Sequence, residues 1–307
     1  GASGAIFGLF TIAILIKFKP DFFSFLEILI LFPFVLGYLR KELQLLGNED
    51  RAKDSHGLGL YADHVSLTIT NSTISGHALD GVHIESTTTA TSNLDVSSVS
   101  DNGEDGIEVN GDLDLQATEC SINGNGEDGI DAGADSNLTI FGCSISNNEA
   151  RGVSAGDGST LDLDYLYIDD NTGVGVDLED GGVMLMNNSR LRGNGGAGIE
   201  SGSPVTVTYC DVAYSGGTGL VLTGNNFHTL NNSILWGNNS SNYTQIDISG
   251  GVISTSYSTV QGRSSYGTTG AGQYYWGDGV IEADPLFADE ALHLETFSPC
   301  VDGGQPW

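Results

Sequence analysis

Basic residues are scarce in this chain. Lysine and arginine account for 10 of its 307 residues, whereas aspartate and glutamate account for 40, so the formal net charge at pH 7 is −30. All four lysines lie at or before position 53, and four arginines are the only basic residues after it. A surface with this balance repels nucleic acid and anionic lipid. We therefore expect no nucleic-acid partner and a secreted or surface protein that works in salty or calcium-containing water.

Cysteine and histidine are also few, and they form no recognised metal or disulfide motif. The four cysteines have neither the spacing of a disulfide framework nor that of a zinc site. They leave the redox compartment of the protein undetermined. We interpret the scattered histidines as surface or turn residues rather than ligands: His64, His77, His83, His228 and His293.

Apolar stripes of helical spacing are missing after residue 56, and a different period takes their place. A glycine followed by an apolar residue recurs every 21 to 25 residues, at Gly59, Gly81, Gly106, Gly129, Gly152, Gly175, Gly198 and Gly219. A second apolar position keeps the same period, at Ile74, Val99, Ile122, Ile145, Ile168, Leu191, Val212 and Ile234. A period in the low twenties indicates a solenoid.

Each repeat contains three short runs in which apolar and polar residues alternate, for example 130–132, 138–140 and 143–145. Alternation of period two with turn residues between the runs is typical of β-strands. Three strands in each coil of about 23 residues predict an all-β fold, a parallel β-helix. Equivalent residues of successive coils should then stack about 4.8 Å apart.

Two further positions of the repeat have recognisable occupants. Five consecutive coils place an asparagine three residues after the second apolar position, at Asn102, Asn125, Asn148, Asn171 and Asn194. We expect these residues to form a turn ladder with left-handed backbone and stacked amides. An inward file is predicted two residues before the same position, at Ser72, Ser97, Cys120, Cys143, Leu166, Ser189, Cys210 and Asn232. Cys120 and Cys143 fall on neighbouring coils, so a disulfide bridge between them stays open.

The first 55 residues have a different composition. Residues 4–16 and 22–39 are strongly apolar, and each is close to the length that spans a bilayer. We predict two transmembrane α-helices within 1–39, a charged linker at 40–55 and β-helix coils at 56–260. Residues 261–307 are predicted to be an irregular aromatic stretch followed by a cap on the end of the coils.

The opening residues Gly1, Ala2, Ser3 and Gly4 resemble the Gly-x-Ser-Gly segment of rhomboid intramembrane serine proteases. In that family the serine is the nucleophile and a histidine is its base, which implies these roles for Ser3 and for His56 in Ser55-His56-Gly57-Leu58-Gly59. The resemblance covers residues 1–57, and no further apolar helix follows His56. The family's topology places Lys17 and Lys19 inside the cell, as positive-inside bias does. The β-helix would then lie outside, attached to the membrane through the amino-terminal helices.

The closing segment, from Ala283-Asp284-Pro285-Leu286-Phe287 to Ser298-Pro299-Cys300-Val301-Asp302-Gly303-Gly304, resembles that of bacterial right-handed parallel β-helix surface proteins. The internal phrases 71–75 and 232–238 do so too. The resemblance covers about 57–304 and implies a right-handed β-helix with a pectate-lyase-like fold. A shared fold leaves the function open, because one fold hosts many functions.

Acidic residues flank the repeated glycine on successive coils. Asp105, Glu108, Asp128 and Asp131 should gather on one face of the β-helix, with Arg151 one coil away. Hard oxygen ligands at this spacing could hold calcium. Polysaccharide lyases of the pectate lyase type share this fold and use calcium carboxylates with a basic residue, which the resemblance assigns to Arg151. A solvated acidic face without a ligand is the other interpretation.

Aromatic residues are concentrated near the carboxyl end. Tyr266, Tyr274, Tyr275 and Trp276 could stack on sugar rings or pack against the wall of the coils. Hydrolysis of the polygalacturonase type is disfavoured, because Asp169-Asp170 is the one aspartate pair of its kind and Gly-His-Gly is absent.

These observations favour an extracellular or cell-surface β-helix that is a non-catalytic scaffold for adhesion or for binding polysaccharide or cell-surface glycan. The first alternative is a calcium-dependent polysaccharide lyase or another carbohydrate-active enzyme. The second is a truncated rhomboid-family serine protease fused to a β-helix. The sequence does not decide whether the chain is an enzyme.

Overall fold

The computed structural model of the chain describes residues 57–86, 90–239, 245–263 and 272–301. In these ranges 28 β-strands were assigned, and no helix in them is long and apolar enough to cross a membrane. The transmembrane helices, the linker, and the residues Ser3 and His56 predicted for the amino-terminal segment lie outside the described residues.

The strands form three parallel sheets, and each full coil contributes one strand to each sheet. The first sheet contains β1 (Leu60–Asp63), β4 (Val82–Glu85), β7 (Ile107–Asn110), β10 (Ile130–Ala132), β13 (Val153–Ala155), β16 (Val176–Leu178), β19 (Ile199–Ser201), β22 (Leu220–Leu222) and β25 (Ile246–Ile248). The second contains β2 (Thr68–Thr70), β5 (Ala90–Asp95), β8 (Leu113–Thr118), β11 (Asn137–Phe141), β14 (Thr160–Asp164), β17 (Val183–Asn187), β20 (Val205–Thr208), β23 (Phe227–Asn231), β26 (Val252–Ser256) and β28 (Gln273–Trp276). The third contains β3 (Thr73–Ser75), β6 (Ser98–Ser100), β9 (Ser121–Asn123), β12 (Ser144–Ser146), β15 (Tyr167–Asp169), β18 (Arg190–Arg192), β21 (Asp211–Ala213), β24 (Ile234–Trp236) and β27 (Thr259–Val260).

The strand pairing follows the repeat. Ile130 pairs with Ile107 on one side and with Val153 on the other, so residues of consecutive coils become neighbours in a sheet. The predicted parallel β-helix with three strands in each coil is therefore confirmed.

A single apolar core runs along the axis of the coils, inside the three sheets. Inward positions of the alternating runs supply it, and Ile107, Leu115, Ile122, Ile140 and Ile145 are all fully buried. Branched aliphatic side chains of one coil stack on those of the next, which fits the pleated geometry of the sheets. The outward positions carry the polar side chains, so the alternation in the sequence records which face of each strand is inside.

The predicted asparagine ladder is present and buried. The Nδ2 group of each asparagine from Asn102 to Asn171 donates to the Oδ1 atom of the asparagine one coil further on, at 2.9 to 3.0 Å. The same oxygen accepts the backbone N–H of the previous asparagine, for example from Asn125 to Asn148 at 3.1 Å. Because buried amides must be hydrogen-bonded, each coil fixes the position of the next.

The repeated glycine packs against this ladder. A Cβ atom added at Gly106 would lie 2.6 Å from the carbonyl oxygen of Gly129 and 2.7 Å from Nδ2 of Asn125. Backbone φ at Gly106 is not in the left-handed region, so the close approach of the next coil accounts for the glycine. The glycine and the asparagine of the repeat are thus the two sides of one contact.

The left-handed backbone lies one residue earlier than predicted. The ladder asparagines have ordinary φ values, whereas the preceding residues have positive φ, with 55° at Asp101, 67° at Gly124 and 56° at Asn147. This position forms the corner after the third sheet, where glycine, aspartate and asparagine adopt the left-handed conformation most readily. The prediction gave both the left-handed backbone and the stacked amide to the asparagine. In the structure the preceding residue has the left-handed backbone, and the asparagine supplies the amide.

The predicted inward file that contains the cysteines is present, but one coil of it was assigned in the wrong register. Leu235 pairs with Val212, so the second apolar position of that coil is Leu235 and not Ile234. The inward file then continues at Ser233, whose Oγ accepts the backbone N–H of Cys210, and not at Asn232. Counting apolar residues misled here because both Ile234 and Leu235 are apolar and buried. All four cysteines are free thiols, so Cys120 and Cys143 stack without a bridge.

His228 does not lie at the surface or in a turn, as the sequence suggested. It points into the core from β23 with 1% of its surface exposed. Neither ring nitrogen has a hydrogen-bond partner among the described residues. Burial therefore lowers the pKa of His228, because the core cannot solvate the imidazolium.

We expect Asn148→Ala to destabilise the protein by about 1–3 kcal/mol, because the donors of Asn125 lose their buried acceptor. Chemical denaturation measures the change. The control is Asn137→Ala, an exposed asparagine on β11, with an expected change within about 0.5 kcal/mol. Equal destabilisation by the two variants would contradict the role of the ladder.

We also expect stability to fall as the pH drops below the ordinary histidine pKa of 6.5. The folded state holds His228 neutral while the unfolded chain takes up a proton, so the contribution is complete above that pH and is lost as acid is added. Denaturation midpoints of wild type and His228→Leu should therefore diverge between pH 7 and pH 5, with the wild type losing more. His293→Leu, at a largely exposed site, should follow the wild type.

Candidate functional site

The acidic residues predicted from the repeat come together on the outer face of the first sheet. Glu108 on β7 pairs in register with Asp131 on β10, and Asp105 and Asp128 precede the same two strands. Arg151 lies one coil further on, in the turn before β13. Their assignment as calcium ligands stays a prediction.

The three aspartates that precede β4, β7 and β10 form a ladder of their own. Oδ1 of Asp80 accepts the backbone N–H of Asp105 at 3.0 Å, and Oδ1 of Asp105 accepts that of Asp128 at 2.7 Å. Asp128 in turn accepts the backbone N–H of Arg151 at 2.5 Å. One oxygen of each carboxylate therefore has a structural task.

Stacking carboxylates at successive coils is electrostatically costly. Burial, reinforced by the charges of Asp131, Asp128 and Asp80, raises the pKa of Asp105 to about 8. Burial also raises the pKa of Asp128. Carboxylate oxygens are the hard ligands that calcium prefers, so these residue types suit a bound cation. A cation bound at Glu108 would have to displace contacts that this residue already makes.

Those contacts come from His83, which pairs in register with Glu108 one coil earlier. Nδ1 of His83 lies 3.1 Å from Oδ2 of Asp80 and also contacts Oε2 of Glu108. Asn110 donates to the other oxygen of Glu108 at 2.7 Å, and the ring of Tyr61 stacks on His83 with 5.3 Å between centroids. His83 was interpreted as a surface or turn residue, but it lies on strand β4 within this cluster. The signal in the sequence was its place one coil before Glu108.

The charges in this cluster stabilise one another. Burial acts to lower the pKa of His83, but hydrogen bonds to Asp80 and Glu108 outweigh it and raise the pKa to about 9. The same contact with His83 lowers the pKa of Glu108 to about 2. At neutral pH, an imidazolium therefore lies between carboxylates.

Arg151 links the acidic face across two coils. Its guanidinium lies 3.8 Å from Asp128 and 3.2 Å from Asp177, and it donates to Oγ of Ser154 at 3.2 Å. Its side chain is 44% exposed. This arrangement suits a fixed cation that could pair with an anionic group of a bound molecule.

A second candidate site lies on the outer face of the third sheet. It is a groove of about 500 Å³, here called the tyrosine groove, lined by Ser144, Tyr167, Asp169, Asn188, Ser189, Arg190, Tyr209, Asp211, Ala291, Leu292 and His293. Tyr167 and Tyr209 are each 51% exposed, so their ring faces border the groove in contact with solvent. Tyr209 stands at a left-handed corner, with φ of 55°, which turns its side chain outward.

The floor of the tyrosine groove is built around Arg190. Its Nε donates to Oδ1 of Asp169 at 3.2 Å, and its guanidinium lies 4.7 Å from the ring centroid of Tyr167. Asp211 pairs in register with Arg190 on the next coil. Burial raises the pKa of Asp211 to about 7, although the charge of Arg190 opposes the shift. The floor thus offers both donors and acceptors of hydrogen bonds.

The far wall of the groove comes from the carboxyl-terminal segment. Arg192 forms a salt bridge of 3.5 Å with Glu290. The ring of Tyr214 packs edge-on against that of Phe287, with 6.0 Å between the ring centroids. These contacts hold residues 287–293 against the third sheet. The groove therefore combines residues more than a hundred positions apart, which the repeat alone does not reveal.

The predicted aromatic ligand residues lie elsewhere. Tyr274 and Trp276 on β28 are partly buried against the core, with their rings stacked 5.9 Å apart. Tyr275 points outward and is 57% exposed, whereas Tyr266 lies outside the described residues. Packing against the coils thus accounts for two of the four rings, and a sugar-binding role for the set stays a prediction.

Comparison with known proteins supports the fold. Residues 57–203 match the family model described as a right handed beta helix region, which gives the coils their hand. The structure is similar to the crystal structure of pectate lyase Pel9A, with 14% sequence identity, a TM-score of 0.45, and coverage of 82% of this chain and 77% of that chain. At this score the likeness carries no argument about function. No curated protein matches the chain. The described coils are thus a right-handed parallel β-helix.

Proposed function

We propose that this protein is an extracellular or cell-surface β-helix that binds polysaccharide or cell-surface glycan without cleaving it. The observation that carries the proposal is the tyrosine groove, in which two half-exposed tyrosine rings border a floor of charged groups. Aromatic faces provide apolar contact for sugar rings, and their hydroxyls supply a polar handle. Guanidinium and carboxylate groups can bind sugar hydroxyls through several donors and acceptors.

The charges of the groove narrow the class of glycan. Asp169 is paired with Arg190, whereas Asp211 has no salt bridge or hydrogen bond from its carboxyl group among the described residues. The whole chain carries a net charge of −30. A polymer of uronic acids would be repelled by this surface, so a neutral glycan is the expected ligand.

Cleavage of a glycoside in the groove would require a carboxylic acid and a second carboxyl group. A carboxyl group with a pKa of about 7, as for Asp211, could act as a general acid in glycoside cleavage beside a second carboxylate. Asp169 is the nearby carboxylate, but Arg190 holds it through two nitrogens. We therefore assign the pair to binding.

Tyr167→Ala and Tyr209→Ala should each weaken binding of a neutral oligosaccharide about tenfold, because each removes one ring face from the groove. A glycan array identifies the ligand, and calorimetry measures the loss. Tyr275→Ala is the matched control, an exposed tyrosine on the second sheet with unchanged binding expected.

Blank arrays for the wild type would contradict the binding proposal. Loss of binding in Tyr275→Ala with none in Tyr167→Ala would move the site to the aromatic stretch. Release of reducing ends from the bound glycan, abolished by Asp211→Asn, would show that the groove is catalytic.

The calcium-dependent polysaccharide lyase is the second candidate function, favoured by the acidic face beside Arg151. Calcium on these carboxylates would neutralise charges that now repel one another, and would supply a positive centre for a uronate carboxylate. Asp105, Glu108, Asp128 and Asp131 are the residues that would hold it. Arg151 would serve as the base, although its ion pairs with Asp128 and Asp177 suit a fixed cation better.

A lyase would generate unsaturated products from uronate polymers when calcium is present, and their ultraviolet absorbance measures the reaction. Turnover should then disappear in Arg151→Ala and on removal of calcium by chelation. Arg192→Ala, on the third sheet, serves as the control that retains activity. Absence of turnover in the wild type with calcium would eliminate this candidate.

A further inference from the structure

We propose that Asp80, His83 and Glu108 form a binding site for one divalent transition-metal ion, represented by Zn²⁺. The three residues come from two coils: Asp80 and His83 flank the start of β4, and Glu108 lies on β7. One ligand atom from each lies within 4.8 Å of the others. Ligands at about 2.0–2.2 Å from one ion fall within this range of one another, so small side-chain adjustments suffice.

The atoms converge on one point instead of forming separate pairs. Nδ1 of His83 faces Oδ2 of Asp80 at 3.1 Å and Oε2 of Glu108 at the same time. A single N–H group cannot direct a straight hydrogen bond at two carboxylates. An ion at the same place would use the lone pair of the nitrogen and one oxygen from each carboxylate.

The second atoms of these ligands are already oriented. The backbone N–H of Asp105 holds Oδ1 of Asp80 at 3.0 Å, and Asn110 holds Oε1 of Glu108 at 2.7 Å. The ring of Tyr61 stacks against His83, with 28° between the ring planes. Such outer contacts fix ligand orientation in metal sites. The ligating oxygens of both carboxylates are left facing the imidazole.

Burial and charge suit a cation with an open coordination position. The side chains of Asp80, His83 and Glu108 are 4%, 17% and 25% exposed, so the site is shielded and still reaches solvent. A divalent ion with neutral imidazole balances the two carboxylates, whereas a protonated histidine leaves one negative charge. Three protein ligands leave a fourth position for water or a sugar hydroxyl.

The donor set favours a transition metal over calcium. Calcium takes oxygen ligands, whereas imidazole suits zinc, copper and nickel. The site differs from the predicted calcium set in its use of Asp80 and His83, and it shares Glu108 with that set.

Isothermal titration of the full chain with zinc chloride, after removal of metals by chelation, tests the proposal. We expect one zinc ion per chain, and at least tenfold weaker binding in His83→Ala and in Glu108→Gln. Co²⁺ should give a visible absorption band in the wild type that both variants lack. Denaturation midpoints in chelator confirm that each variant is folded.

Two controls separate this site from its surroundings. His64→Ala removes a histidine that contacts Asp63 in the same sheet, and Glu200→Gln changes a carboxylate on β19, four coils beyond Glu108 in that sheet. Both should bind zinc as the wild type does. Failure of the wild type to bind zinc would overturn the proposal, as would undiminished binding in His83→Ala. An equal loss in Glu200→Gln would overturn the ligand set.

Discussion

The in-register stacking of coils is the constraint on which the rest of this structure depends. Backbone hydrogen bonds join each coil to the next, and the amide ladder from Asn102 to Asn194 repeats the same connection inside a corner. The ladder leaves no room for a side chain at the repeated glycine, where a Cβ atom would meet the next coil at 2.6 Å. One spacing therefore sets the asparagine, the glycine and the apolar core together.

The same stacking decides where charges become neighbours. A residue type that recurs at one position of the repeat faces its own copies about 4.8 Å away, so carboxylates crowd together in a long acidic chain. Two kinds of contact on the first sheet offset this repulsion between carboxylates. Oxygens of Asp80, Asp105 and Asp128 accept backbone N–H groups, and His83 and Arg151 provide positive charge between carboxylates. The candidate cation sites lie among these same carboxylates.

Much of the fold was predictable because a solenoid converts sequence spacing directly into contact. The three sheets, the inward apolar positions and the adjacency of Asn125 and Asn148 all follow from the period. The errors are local. The position of the left-handed residue depends on the geometry of the corner. The second apolar position of its coil was assigned to Ile234 instead of Leu235 because both residues are apolar. The burial of His228 went against its usual preference for partial exposure.

The period, the strands, the core and the gathering of acidic residues on one face could all be predicted from the sequence, because each depends on neighbours one coil apart. The tyrosine groove could not, because it forms where residues 291–293 pack beside strands far earlier in the chain. The grouping of His83 with Asp80 and Glu108 also needed the three-dimensional structure, because that contact depends on side-chain direction across two coils. In a solenoid, the spacing of residues in the sequence predicts which residues are neighbours, whereas side-chain packing decides which of their atoms are in contact.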